Sequence, residues 1–229
     1  MRVLAIDCST EWLAVAAGDE TACVERREHA GQLHSQRVLP LVDELLRERG
    51  WPLRSLDGIA FGAGPGSFTG IRIACGVVQG LALGASLPVM PVATLEALAQ
   101  TAGARHRAAR VFTCLDARMR EVYVAAYVRD RKGWTVAQQP SVTKPEDVAL
   151  PAGEWFGAGE GLRTYPSLVT SLALEGHDPA IAPSAQAIVE LALPRLAAGE
   201  AVDAAHALPL YVRHRVALTS DERAAGARL

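Results

Sequence analysis

The sequence is short of the features that would tie its 229 residues to a membrane, a disulfide scaffold or a structural metal. Its four cysteines, Cys8, Cys23, Cys75 and Cys114, are widely separated and form no Cys-x-x-Cys pair. That spacing argues against structural zinc and against a disulfide framework, so they read as reduced core residues. The six histidines (His29, His34, His106, His177, His206, His214) include no His-x-x-x-His or His-Glu-x-x-His pair. A metal site built on two imidazoles of one helix face is therefore not expected. No stretch approaches about eighteen consecutive apolar residues, and the apolar run at 3–7 is too short for a signal peptide, so a cytoplasmic protein with no membrane contact is expected. Neither sign of charge dominates: 23 Lys and Arg stand against 25 Asp and Glu, a net charge of −2. General attraction to nucleic acid is excluded, and an RNA contact has to be local or lent by a partner. What the chain does have is apolar content: half of its residues are hydrophobic, enough for the core of one large domain or two small ones.

Glycine is concentrated in one stretch, Phe61-Gly62-Ala63-Gly64-Pro65-Gly66-Ser67-Phe68-Thr69-Gly70-Ile71-Arg72. Three glycines and a proline within five residues force a tight reversal, after which Ser67 or Thr69 can cap a helix running to about Gly84. A glycine-rich turn entering a helix N-terminus suits phosphate. The P-loop spacing is nevertheless absent, because no lysine follows the glycines. Anion binding and a turn that only shapes the fold both remain open at this point. The helix itself is rich in small residues, with Gly70, Ala74, Gly76, Gly80, Ala82 and Gly84. Each interior glycine costs about 1 kcal/mol relative to alanine, so close helix packing, internal or with a partner, is needed to offset it.

Read in order, the first half gives strands at 3–7, 12–17 and 21–27, and a helix from 38 to 50 with apolar Val38, Leu41, Val42, Leu45 and Leu46. Pro40 fits only near that helix's first turn or at a kink. The strand before the glycine loop, the small-residue helix, a strand at 88–92 and a helix at 94–103 complete a β-β-β-α-β-α-β-α order. The second half starts the pattern again. Residues 111–116 repeat an apolar strand ending in aspartate, followed by a polar turn at 117–120, strands at 121–128 and 134–138, a Pro-rich stretch, a short strand at 155–156, a glycine turn at 157–161 and a helix at 184–196. The expected organisation is a lobe at 1–106, a second lobe at 107–218 and a frayed tail at 219–229.

Asp7 and Asp116 end equivalent strands. Such aspartates bind Mg²⁺ and phosphates in duplicated ribonuclease-H-like domains of the actin, sugar-kinase and heat-shock ATPase superfamily, and equally often cap the turn that follows. For Asp116 the capping role is favoured, since Ala117 and Arg118 replace small hydroxyl residues. The turn at 157–161 lacks the Gly-x-Gly-x-x-Gly spacing and reads as a loop. Arg118, Arg120, Arg213 and Arg215 suit a phosphate backbone or, more simply, a solvated face.

Taken together, Ile6-Asp7-Cys8-Ser9-Thr10, His34-Ser35-Gln36, the loop from Gly64 to Arg72, and Asp116-Ala117-Arg118 with Glu121-Val122-Tyr123 resemble the signatures of the TsaB family, formerly YeaZ. The resemblance implies an α/β fold of two ribonuclease-H-like lobes with mixed sheets flanked by helices. It also implies a homodimer that pairs with the catalytic paralogue TsaD, joined by the ATPase TsaE. That machinery places threonylcarbamoyl on adenosine 37 of tRNAs reading codons that begin with A, and the tRNA is reached indirectly through the complex. TsaD-like relatives follow their glycine loop with a segment carrying two metal-binding histidines; here Thr94 and Leu98 stand in those positions, and neither replaces an imidazole. The resemblance therefore implies a non-catalytic subunit with no cofactor of its own, ATP or ADP and Mg²⁺ entering only within the complex. Asp7, Gly64, Gly66, Ser67 and Thr69 are the expected vestigial nucleotide site. Val38, Leu41, Leu45, Gly70, Ala74, Val77, Gly80 and Leu81 are the expected partner surface. The alternatives are an autonomous ATPase or kinase of the same superfamily and a metallopeptidase-like protein.

Overall fold

Five consecutive buried residues make Val3–Asp7 (β1) the middle strand of the first sheet in the computed structural model, which describes residues 1–131 and 133–213. On one side β1 pairs antiparallel with Trp12–Gly18 (β2), which pairs antiparallel with Cys23–His29 (β3). On the other side it runs parallel to Gly58–Gly64 (β4), and β4 runs parallel to Val89–Ala93 (β5). The order is β3-β2-β1-β4-β5. Parallel neighbours need crossovers, and the helices His34–Arg49 (α1) and Phe68–Ala85 (α2) provide them.

The apolar stripe of α1 is Val38, Leu41, Val42, Leu45 and Leu46, all buried against the sheet, and Gly50 ends the helix at φ 63°. It starts at His34, earlier than position 38, so Pro40 lies in the second turn. The proline lies on the exposed face, where its lost backbone bond is open to water. The third strand likewise begins later than expected, at Cys23.

Arg110–Arg118 (β6) is the centre of the second sheet, with Glu121–Asp130 (β7) and Gly133–Thr143 (β8) antiparallel on one side and Phe156–Ala158 (β9) and Gly176–Asp178 (β10) parallel on the other. Its order, β10-β9-β6-β7-β8, repeats that of the first sheet. The fold is thus α/β with two mixed sheets flanked by helices. β8 is longer than the expected 134–138 because it is an edge strand, where Pro140 is tolerated.

The short helices Gly161–Thr164 (α4) and Ser167–Ser171 (α5) lie between β9 and β10. Two longer helices join the sheets. Thr94–His106 (α3) packs Leu95, Leu98, Ala99 and Ala102 on Val111, Leu115, Ala125 and Tyr127 of the second sheet. Ala185–Ala197 (α6), from the second half of the chain, lies on the first sheet instead, with Ile188, Val189, Ala192 and Leu196 against Val3, Ala5, Ala14, Ala16 and Ala60. Alanines on that face of the sheet let the helix approach closely. Ser184 caps α6 and the Arg195–Glu96 ion pair ties it to α3. Residues 200–213 then cross the first lobe: Val202 bridges to Val89, and the N–H of Leu210 donates to the Ala63 carbonyl at 2.7 Å. His214, Arg215 and the tail at 219–229 lie outside the described residues.

Candidate functional site

The glycine loop is built against the turn that follows β1. A Cβ on Gly62 would lie 1.9 Å from Asp7 Oδ2, one on Gly66 2.4 Å from the Ser9 carbonyl oxygen, and one on Gly70 1.8 Å from the Cys8 carbonyl oxygen. Gly64 takes φ 110°, a region open to glycine. Close approach therefore explains Gly62, Gly66 and Gly70, and backbone conformation explains Gly64. Three of the loop's N–H groups are engaged within the chain: Gly64 donates to Thr94 Oγ1 (3.1 Å), Ser67 to the Ser9 carbonyl (2.7 Å) and Gly70 to Ser67 Oγ (3.3 Å). Ser67, not Thr69, is the helix cap.

Asp7 is fully buried. Its Oδ1 accepts bonds from the Ser9 N–H (3.0 Å) and hydroxyl (2.8 Å), while Oδ2 has no hydrogen-bond partner. Burial raises its pKa, opposed by the two Ser9 bonds and by the charges of His34 and Arg27. Register explains the geometry: Asp7 lies beside Ala14 on β2 and against Gly62 on β4, so small residues flank the carboxyl.

A cleft of about 620 Å³ opens between the lobes, lined by Ser9, Thr10, Glu11 and Trp12, by Gly66, Ser67 and Thr69, and from the second lobe by Asp116, Arg118, Glu160 and Arg163 among others. Of the expected nucleotide residues, Gly66, Ser67 and Thr69 line this cleft. Asp7 and Gly64 do not; Asp7 lies against Gly62 of β4. Asp116 differs from Asp7: it accepts from the Arg118 N–H (2.9 Å), pairs with the Arg118 guanidinium (3.2 Å) and donates its own N–H to Glu160 Oε1 (3.2 Å). Glu160 escaped the sequence reading, although it follows a strand in a glycine turn as Pro65 does in the first lobe. Burial, with the charges of Asp116 and Glu11, raises its pKa, and the Asp116 N–H opposes this. Gly159 and Gly161 press on Cys114 much as Gly70 presses on Cys8, so this turn too is shaped by packing. Among the described residues no group of three His, Cys, Asp or Glu side chains is placed to hold a metal ion. The positions of the transferase histidines are filled otherwise: Thr94 bonds Gly64, and Leu98 is buried in the α3 core.

The expected partner surface is redrawn. Val38, Leu41, Leu45 and Ala74 are buried in the first core, and Gly70 is closed against Cys8, so none is available to another chain. Val77 and Leu81 are half-buried, and Gly80 is exposed. With Gly80 stand Gly76 and Gly84, where a Cβ would meet nothing within 4 Å, and Leu83, which is 78% exposed. These residues share one outward face of α2, flanked by Phe68 and Arg72 at its N-terminal end.

The family described as TsaD: tRNA N6-adenosine threonylcarbamoyltransferase matches residues 27–217. The tRNA threonylcarbamoyladenosine biosynthesis protein TsaB of Escherichia coli is 40% identical over 95% of this chain and 96% of its own length. Its namesake in Haemophilus influenzae is 37% identical over 94% and 95%. Among solved structures, YeaZ from Pseudomonas aeruginosa superposes with a TM-score of 0.86 at 42% identity, covering 92% of this chain and 99% of that one. The two-lobed fold, the glycine loop folded onto the β1 turn and these likenesses converge: the chain belongs to the TsaB (YeaZ) family.

Proposed function

We propose that this protein acts in tRNA threonylcarbamoyladenosine biosynthesis as a non-catalytic subunit that docks a TsaD-like transferase on the outward face of α2, with a TsaE-like ATPase joining the assembly. The observation that carries this reading is the row Gly76, Gly80 and Gly84. Each glycine weakens the helix by about 1 kcal/mol relative to alanine, and nothing among the described residues occupies the space they leave. A helix from another subunit can approach such a face closely, and a stable contact there buries about 800 Å² per partner. The same face serves a homodimer when the transferase is absent.

Thr94 and Leu98 support the non-catalytic part, because both side chains are committed to the interior where the transferase relatives carry imidazoles. ATP or ADP with Mg²⁺ belongs to the assembly in this reading. An autonomous ATPase or kinase has less support: Asp7 does not line the cleft, and three loop N–H groups are bonded within the chain. The test is co-purification. Wild-type protein should bring down a TsaD-like protein from cell extract and Gly80→Leu should not; equal recovery with the variant overturns the docking face.

A further inference from the structure

The hairpin joining β6 and β7 is unusual in its backbone. Arg118 pairs with Glu121 across the ladder, leaving Met119 and Arg120 as the loop. Arg118, Met119 and Arg120 all lie in the left-handed region, at φ 60°, 55° and 60°. Tight hairpins of this kind favour Asn and Gly, which adopt positive φ most readily. A turn chosen for folding alone would carry those residues, whereas this one presents Arg-Met-Arg to solvent. Non-glycine residues held in that region point to function when the surrounding structure fixes them.

Arg213 does the fixing. Its guanidinium donates to the Ala117 carbonyl (2.9 Å), contacts the Met119 sulfur (3.1 Å) and pairs with Glu121 (2.7 Å). The Arg118 guanidinium pairs with Asp116, and 78% of the side chain stays exposed. Arg120 has no ion-pair partner among the described residues, and neither has exposed Lys144. Arg120 and Lys144 share a groove of about 820 Å³ with Met119, Tyr165 and Ser167. Glu121 also lines it but is neutralised by Arg213, so Glu146 is the one unpaired carboxylate on its wall.

We propose that this groove and its arginine rim bind the phosphodiester backbone of RNA, Arg120 and Lys144 contacting phosphates, Arg118 extending the track toward the cleft, and Tyr165 offering a face for a base. The ligand class follows from the chemistry: exposed cations along a groove hold a polyanion, and an aromatic wall beside them suits an unpaired base. The locality matters, since a chain of net charge −2 attracts RNA nowhere in general. Naming the RNA as tRNA rests on the function proposed above; the placement of the cations does not.

The experiment measures binding of labelled, unmodified tRNA for codons beginning with A, over a range of salt, to the full chain alone and to the chain co-purified with its transferase. Arg120→Glu with Lys144→Glu should weaken binding at least about tenfold and flatten the log–log salt slope by about 1.4–1.8, the loss of two phosphate contacts. Transferase recovery and the thermal melt should not change. The milder Arg120→Ala with Lys144→Ala should give the same direction without reversing charge, and Glu146→Gln should tighten binding. Unchanged affinity and slope in both double variants overturn the proposal, as does wild-type binding to phosphatidylglycerol vesicles with none to tRNA. Failure of the wild-type chain to recover any transferase would instead strike the docking reading, and the tRNA measurement on the chain alone would still decide the groove.

Discussion

At Gly62, Gly66 and Gly70 an added Cβ would fall within 2.4 Å of Asp7, Ser9 or Cys8; at Gly76, Gly80 and Gly84, further along the same stretch, it would meet nothing within 4 Å. The first group exists because the β1 turn presses into the loop, and its absence of side chains is used inside the molecule. The second leaves a bare helix face that no contact among the described residues explains. One residue type in one unbroken segment thus answers two different steric demands, and only the neighbours distinguish them.

The largest expected effect breaks the inner group. Gly70→Ala forces a methyl against a backbone carbonyl and should destabilise the chain by about 3 kcal/mol or more, seen as a lowered denaturant midpoint. Gly62→Ala should be similarly severe, but its obstacle is a side chain, so Asp7→Ala in the same molecule should recover part of the loss; strict additivity in that double-mutant cycle would refute the contact. Next comes the outer group in the assembly: Gly80→Leu should remove transferase recovery, a loss of about 2 kcal/mol or more of binding. Its counterpart in the isolated chain has the opposite sign. Gly76→Ala should raise stability by about 0.5–1 kcal/mol, because helix propensity improves and no neighbour is displaced.

The smallest effect concerns pH. Burial raises the pKa of Asp7 in the folded state above its unfolded value near 3.8. The folded chain then holds a proton that the unfolded chain releases, so this contribution is fully present below about pH 4 and is lost as pH rises through the folded pKa. Asp7→Asn should flatten the corresponding fall in stability above about pH 4, measured by denaturant midpoints at a series of pH values. A steeper fall in the variant would contradict the assignment.

Much of the fold was legible because local signals and global packing agree. The apolar strands that carry Asp7 and Asp116, the cap at Ser67 and the periodicity of α1 are all short-range patterns, and each element formed over its pattern, although β6 runs on past Asp116 to Arg118 and α1 begins at His34. The candidate sites were less so. Val38, Leu41 and Leu45 form an apolar stripe that serves a core or an interface equally well, and the sheet beneath α1 settles the matter by burying them. Glu160 carried no spacing signal, since its role depends on the Asp116 N–H, 44 positions away in the chain, reaching its carboxylate. Nor did Arg118-Met119-Arg120 declare its positive φ angles, because hydrogen-bond register between two strands imposes them.

The sequence by itself determined the element order of the first half, the duplicated strand patterns and the family, all of which depend on residue type at a position. Tertiary structure alone decided which glycines face inward, that α6 lies on the first sheet, that Asp7 is sealed from the cleft, and that Arg120 and Lys144 share a groove. Those facts depend on distances between residues remote in the chain, which a periodicity of two or 3.6 residues does not encode.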